Sequence, residues 1–235
     1  LFIVANTSIG DIGQSCTIDK RNIISEFEGV AAALNIDLKK YIVDENNFSK
    51  NNLLSTMNEL QPGLNDVIIF LYTGHGFRWN DQEDSYPQFD LRTNSYLKLN
   101  QESSISASAV YNALIAKKAR LTVVLSNCCN SNIGINQLTT SNFLTTMSNQ
   151  NYEKDNLSKL ILSSSGSIIA TAASPNEYAW CNSSNGSFFV CSFLESFRKE
   201  ISIFNNEPNW NVLAKNSIYY AKQKTSPSSC PSCKV

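Results

Sequence analysis

The single histidine of this chain, His75, stands between two glycines just past an apolar run, in the stretch Asp66–Phe77 (DVIIFLYTGHGF). A second apolar run, Leu121–Ser126 (LTVVLS), ends in Asn127-Cys128-Cys129. A thiol becomes a good nucleophile only when a base takes its proton, and imidazole does this near neutral pH. His75 is the only imidazole available. Each residue also has a plainer reading: a histidine beside glycine as a turn residue, a cysteine after a strand as a small buried apolar group. The pairing of the two, each at the end of a buried run, favours chemistry. Glycine on either side of His75 lets the chain turn sharply, and the Gly76 N–H is a candidate donor to a developing oxyanion.

The elements that must position these groups read in order along the chain. Leu1–Ala5 is a first strand, and Asn6–Thr17 a loop. Helical spacing of Ile23, Phe27, Val30, Ala31 and Leu34 predicts a helix over Asp19–Leu34, with Asp19 at its N-cap or first turn. Leu38–Val43 reads as a second strand. Ser49 caps a helix over Leu53–Leu60 that Pro62-Gly63 stops. Val67–Tyr72 is the third strand, so βαβαβ order predicts a parallel sheet with helices on its faces. Arg78–Glu102 is an irregular excursion with room for a small hairpin. Ser106–Lys118, with Val110, Leu114 and Ile115 inward, is a helix leading into the strand Leu121–Ser126. Asn130–Ser158 reads as an exposed, flexible linker. Leu160–Ser163 and Ile168–Ala173 read as strand, Glu177–Asn182 as extended chain, and Phe188–Lys199 and Asn209–Lys222 as helices. The tail from Thr225 is Ser/Pro-rich. In open α/β sheets ligands sit at the carboxyl ends of strands, where His75 and Cys128 both fall.

Composition narrows the function classes. With 235 residues, 42% hydrophobic content and a net charge of −1, the chain has the core of a globular domain and no charge field suited to nucleic acid or an anionic membrane. No apolar run reaches the roughly 18 residues of a membrane span. Seven cysteines, an odd number and scattered, look like free thiols of a reducing, cytoplasmic-type compartment rather than a disulfide framework. The chain begins on Leu1, as a trimmed or mature product would. Cys230-Pro231-Ser232-Cys233 lacks a second ligand pair, so no metal or other cofactor is expected. Gly10-Asp11-Ile12-Gly13 does not match the dinucleotide fingerprint.

The chain resembles the caspase and metacaspase group of cysteine peptidases. In that group a strand ending in His-Gly precedes, by about 50 residues, a strand ending in the nucleophilic Cys. Tyr72-Thr73-Gly74-His75-Gly76 is similar to the metacaspase Tyr-Ser-Gly-His-Gly, and Ser15-Cys16-Thr17-Ile18-Asp19 to Gly-Cys-x-Asn-Asp. Tyr178-Ala179-Trp180-Cys181-Asn182, continuing to Gly186-Ser187-Phe188-Phe189, resembles the caspase Tyr-Ser-Trp-Arg-Asn…Gly-Ser-Trp-Phe. The resemblance implies a caspase-like α/β sandwich, a mostly parallel sheet of about six strands with helices on both faces. It implies a single peptidase domain over residues 1–225. Within it, residues 1–129 would be large-subunit-like, 130–158 the linker and 159–225 small-subunit-like, followed by a disordered tail over 226–235. It implies endopeptidase action on a peptide or protein, with His75 and Cys128 as the dyad and the N–H groups of Gly76 and Cys128 as oxyanion hole. Ser126, Tyr178, Ala179, Trp180 and Cys181 would bind substrate, the last four along a main-chain groove.

Departures from the family motifs shape the rest of the expectation. Ser126-Asn127-Cys128-Cys129-Asn130 stands where caspases have Gln-Ala-Cys-Arg-Gly, and Cys181 stands where they have an arginine. A P1 aspartate would lack charged partners and is not expected. A basic P1 would need an acid from elsewhere, among Asp11, Asp81, Glu83, Asp84 and Glu177. Counting from the strand end favours Cys128 over Cys129 as nucleophile, so Cys128→Ala should abolish hydrolysis and Cys129→Ala spare it. The altered motif also fits a caspase-like interaction module without turnover, and less well an acyltransferase. The linker, with Lys154, is where relatives are often cut. Oligomeric state is not legible.

Overall fold

The computed structural model describes residues 1–94, 96–132 and 152–225. β1 (Phe2–Ala5) leads through a loop to α1 (Gly13–Leu34), β2 (Tyr41–Asp44), α2 (Lys50–Glu59) and β3 (Val67–Thr73). Three short strands follow, β4 (Gly76–Phe77), β5 (Gln88–Asp90) and β6 (Ser104–Ser106), then α3 (Ala107–Ile115) and β7 (Leu121–Asn127). The described chain resumes with α4 (Lys154–Ser158), β8 (Gly166–Thr171), a hairpin of β9 (Cys181–Asn182) and β10 (Gly186–Ser187), α5 (Phe188–Glu200) and α6 (Trp210–Lys224).

β2-β1-β3-β7-β8 form a parallel sheet of five strands among the described residues, where about six were expected. Its two faces follow from the alternation of side chains along a strand. Ile3, Ala5, Ile69, Leu71, Val123 and Leu125 pack on one side with Ile23 and Phe27 of α1, Phe193 and Phe197 of α5 and Leu213 of α6. Phe2, Val4, Ile68, Phe70, Tyr72 and Val124 pack on the other with Leu53 and Met57 of α2 and Val110 and Leu114 of α3. Because both faces are covered, the central strands read as unbroken apolar runs. Ile115, expected inward, is among the exposed residues.

Several boundaries differ from expectation for physical reasons. α1 starts at Gly13 rather than Asp19, so Asp19 lies inside the helix and is fully buried instead of capping it. The first turn looks polar in sequence because its Ser15 and Cys16 face the interior. Gly13 is needed there: a Cβ would lie 2.5 Å from the Thr7 carbonyl oxygen. Leu160–Ser163, expected as strand, falls in a π-helical turn over Lys159–Ser163 continuing from α4, with Leu160 and Ile161 buried. A short apolar run does not separate buried strand from buried helix. β4-β5-β6 make the antiparallel hairpin structure anticipated within the excursion. Phe89 of β5 stacks on Tyr72 at 3.9 Å between ring centroids, tying this small sheet to the large one. Most of the expected linker, 133–151, and the tail 226–235 lie outside the described residues. The linker's last residues are a packed helix: Glu153 caps α4, and Leu157 is fully buried.

One anchor holds the second half of the chain against the first, and another ties the second half to itself. The Glu26 carboxylate of α1, itself inaccessible, accepts from Arg198 of α5, 3.0 Å from Nε. The Trp210 indole of α6 donates to the Leu160 carbonyl at 2.7 Å. No helix of the described residues is long and apolar enough to cross a membrane.

Candidate active site

The carboxyl ends of β3 and β7 lie side by side, with Tyr72 opposite Ser126 and Thr73 opposite Asn127. Alternation then sends Thr73 and Asn127 towards α1, and Tyr72 and Ser126 away from it. On the α1 side a carboxylate waits. Asp19 Oδ2 accepts from Thr73 Oγ1 at 2.8 Å and Asn127 Nδ2 at 3.1 Å, while Oδ1 accepts from the Ser187 N–H at 2.8 Å. One side chain thus joins α1, β3, β7 and β10. Burial raises its pKa to about 7, even though these hydrogen bonds favour the charged form. Asn127 Oδ1, also buried, has no hydrogen-bond partner.

β7 continues one residue beyond the expected end at Ser126, and Cys128 and Cys129 follow the strand. Ser126 is fully buried, its Oγ 3.5 Å from Cys128 Sγ. The Cys128 side chain belongs to the apolar cluster of Tyr72 and Phe89 and is 1% exposed. Burial pushes its thiol far up. Cys129 is the more accessible of the two. Its Sγ accepts from the Ala179 N–H at 3.4 Å and lies 3.8 Å from the Ala179 carbonyl oxygen. Its thiol is also raised by burial, against the opposing effect of a backbone hydrogen bond to Ala179. The expected dyad thiol is therefore buried at the edge of the core, and its neighbour reaches the Ala179 main chain.

His75 is held by its backbone and by its ring. The His75 carbonyl accepts from Tyr72 Oη at 2.6 Å and the Asp90 N–H at 3.0 Å. The ring Nε2 lies 3.1 to 3.2 Å from the two carboxylate oxygens of Asp11, in the loop between β1 and α1. Neither Cys128 nor Cys129 hydrogen-bonds to the ring; such contacts often tighten only when substrate binds. Gly76 faces Phe89 across β4 and β5, while the adjacent position is bonded from Asp90 N to His75 O. Gly76 is thus at a non-hydrogen-bonded position, and its N–H points away from β5. A Cβ on Gly76 would lie 2.6 Å from the Cys129 carbonyl oxygen and against Cys128 Sγ. Only glycine allows the two loops to approach so closely.

A cavity of about 80 Å³ gathers Asp11, Asp19, His75, Asn127, Cys129 and Cys181. Ala179, Trp180 and Cys128 also border it; Ser126 and Tyr178 do not. Trp180 packs with Phe188 and Tyr178 at the rim. No lysine or arginine is among the described lining residues. Asp19 and Asn127 were not singled out from sequence, and Asp11 appeared only among five acids. A signal existed for Asp19 in Ser15-Cys16-Thr17-Ile18-Asp19, but an acid near a presumed helix start looks like a cap.

A parallel sheet covered on both faces, with an imidazole and thiols at the ends of adjacent strands, defines a caspase-like α/β fold. A family model described as the caspase domain matches residues 14–215, and the chain belongs to that family of cysteine-type peptidases. No curated protein matches the chain.

Proposed function

We propose that the chain is a cysteine endopeptidase in which Cys129, rather than Cys128, is the nucleophile and His75 carries the protons. The observation behind this is the exposure of the two thiols just past β7: both border the cavity with His75, but Cys128 is 1% exposed within the apolar cluster of Tyr72 and Phe89, whereas Cys129 is the more accessible and reaches the Ala179 main chain. A nucleophile must reach the scissile carbon, and a side chain packed on Tyr72 and Phe89 is poorly placed to do so.

In this reading the peptide lies along Ala179–Cys181 by main-chain pairing. The resting Cys129 thiol occupies the Ala179 main-chain groups, so binding exchanges an internal contact for the substrate's own. His75 takes the thiol proton as Cys129 Sγ bonds to the carbonyl carbon. The N–H groups of Gly76 and Cys129 donate to the resulting oxyanion. His75 then protonates the leaving amine, and water hydrolyses the thioester, regenerating the thiol.

Asp19 and Asn127 are among the residues that line the cavity; both are buried acceptors, and Asn127 Oδ1 has no partner. A P1 side chain with N–H donors satisfies them; a P1 carboxylate would be buried without a partner. Lysine or arginine is therefore the proposed P1, with aspartate excluded. Profiling a fluorogenic peptide library tests this. Preference for P1 Asp would refute the pocket assignment.

One observation favours the rival reading, an interaction module without turnover: neither Cys128 nor Cys129 is bonded to His75. Cys129→Ala and Cys128→Ala separate the readings. The peptidase reading expects peptide hydrolysis to vanish in the first variant and persist in the second. A correctly folded wild-type protein that hydrolyses no member of the library supports the module.

A further inference from the structure

We infer that Asp11 is a positioning residue that fixes the His75 ring, with Nε2–H donated to its carboxylate and Nδ1 left to exchange the proton with the thiol. The catalytic consequence rests on the peptidase reading above; the placement of the ring does not. His75 Nε2 lies 3.1 and 3.2 Å from the two Asp11 oxygens, so the carboxylate straddles one ring nitrogen. The His75 main chain is already pinned by Tyr72 Oη and Asp90 N, but this leaves rotation about the side-chain bonds free. Flanking glycines offer no side chains to restrain the ring. Among the described residues Asp11 supplies its only hydrogen bond.

The position of Asp11 argues that this contact is not incidental to helix formation. Asp11 immediately precedes the N-cap of α1, where a carboxylate commonly serves the unpaired N–H groups of the first turn. The N-cap, Ile12, makes no side-chain capping bond, and the first turn holds no acid. Asp11 nevertheless turns away from the helix start and towards the imidazole. Its carboxylate has no other partner among the described residues. A neutral imidazole has one N–H and one lone pair. With a carboxylate accepting at Nε2, the proton resides there and the lone pair lies at Nδ1. Without it, either tautomer is open and the ring samples other rotamers. Each side chain is 30% exposed, so solvent weakens the coupling and an intermediate effect is expected.

The single histidine makes the test clean. In ¹⁵N-histidine-labelled protein the imidazole nitrogens report His75 alone. At a pH where the ring is neutral, the wild type should show the Nε2–H form, Asp11→Asn a mixture containing the Nδ1–H form, and Asp11→Glu a return towards wild type. On the best library peptide, kcat/KM should fall about tenfold in Asp11→Asn, mostly through kcat, with partial rescue in Asp11→Glu. Unchanged nitrogen shifts in Asp11→Asn would overturn the inference, as would a loss confined to KM. A wild type without turnover would defeat the peptidase reading instead, and the tautomer comparison would still decide whether Asp11 sets the ring.

Discussion

Cys128 and Cys129 are adjacent in sequence and differ in most of what governs thiol chemistry. The first packs on Tyr72 and Phe89 at 1% exposure, while the second touches the Ala179 main chain at the cavity. Deleting the Cys128 sulfur should cost about 1–2 kcal/mol of stability through the small void it leaves, read by urea unfolding, and leave most turnover intact. Deleting the Cys129 sulfur should lower kcat/KM at least about 1000-fold with little change in unfolding. Asp19 makes a separate prediction. Its folded pKa of about 7 lies above its ordinary value near 4, so the native state binds more protons than the unfolded state between those values. Its contribution is complete below about pH 4 and is lost as pH rises through about 7, a loss on the order of a few kcal/mol. Urea unfolding from pH 4 to 8 should therefore show stability declining more steeply in wild type than in Asp19→Asn. Parallel profiles would mean that Asp19 is not the source.

At the scale of elements, β7 and its neighbours decide which residues meet at the candidate site. The apolar runs of β3 and β7 are legible in sequence because both their faces are covered, and His75 is legible because it is the only histidine and sits at a strand end. The nucleophile is not legible from a motif alone. β7 runs one residue past the expected end, to Asn127, and the two cysteines follow it in irregular chain, where burial rather than spacing separates the two thiols. Asp19 is hidden similarly, since the buried polar first turn of α1 reads as loop. The loops at the site allow equally little freedom. Gly76→Ala should abolish turnover, because a methyl group there must displace the Cys129 carbonyl. A variant retaining wild-type kcat/KM would contradict the close approach. Further from the site, Arg198→Ala should cost about 3 kcal/mol of stability by leaving the buried Glu26 carboxylate with only the Tyr152 hydroxyl and no cation beside it. Glu26→Gln combined with Arg198→Met should recover part of that loss.

For the whole molecule, residues up to the end of β7 and residues after α4 meet at the candidate site. β3 and β7 bring the imidazole and the thiol, and the chain after α4 brings the Ala179–Cys181 edge and the Ser187 N–H that binds Asp19. Neither part supplies all the residues that line the cavity, so the Glu26–Arg198 pair, which joins α1 to α5, bears on the site by keeping the two in register. The central claim is that Cys129 is the attacking thiol. The most direct measurement is labelling of the intact protein with a peptidyl acyloxymethyl ketone bearing P1 lysine, followed by peptide mapping in a mass spectrometer. The account predicts stoichiometric, peptide-dependent modification of Cys129, lost in Cys129→Ala and retained in Cys128→Ala. Modification of Cys128 in its place, or none at either cysteine in the folded protein, would contradict it.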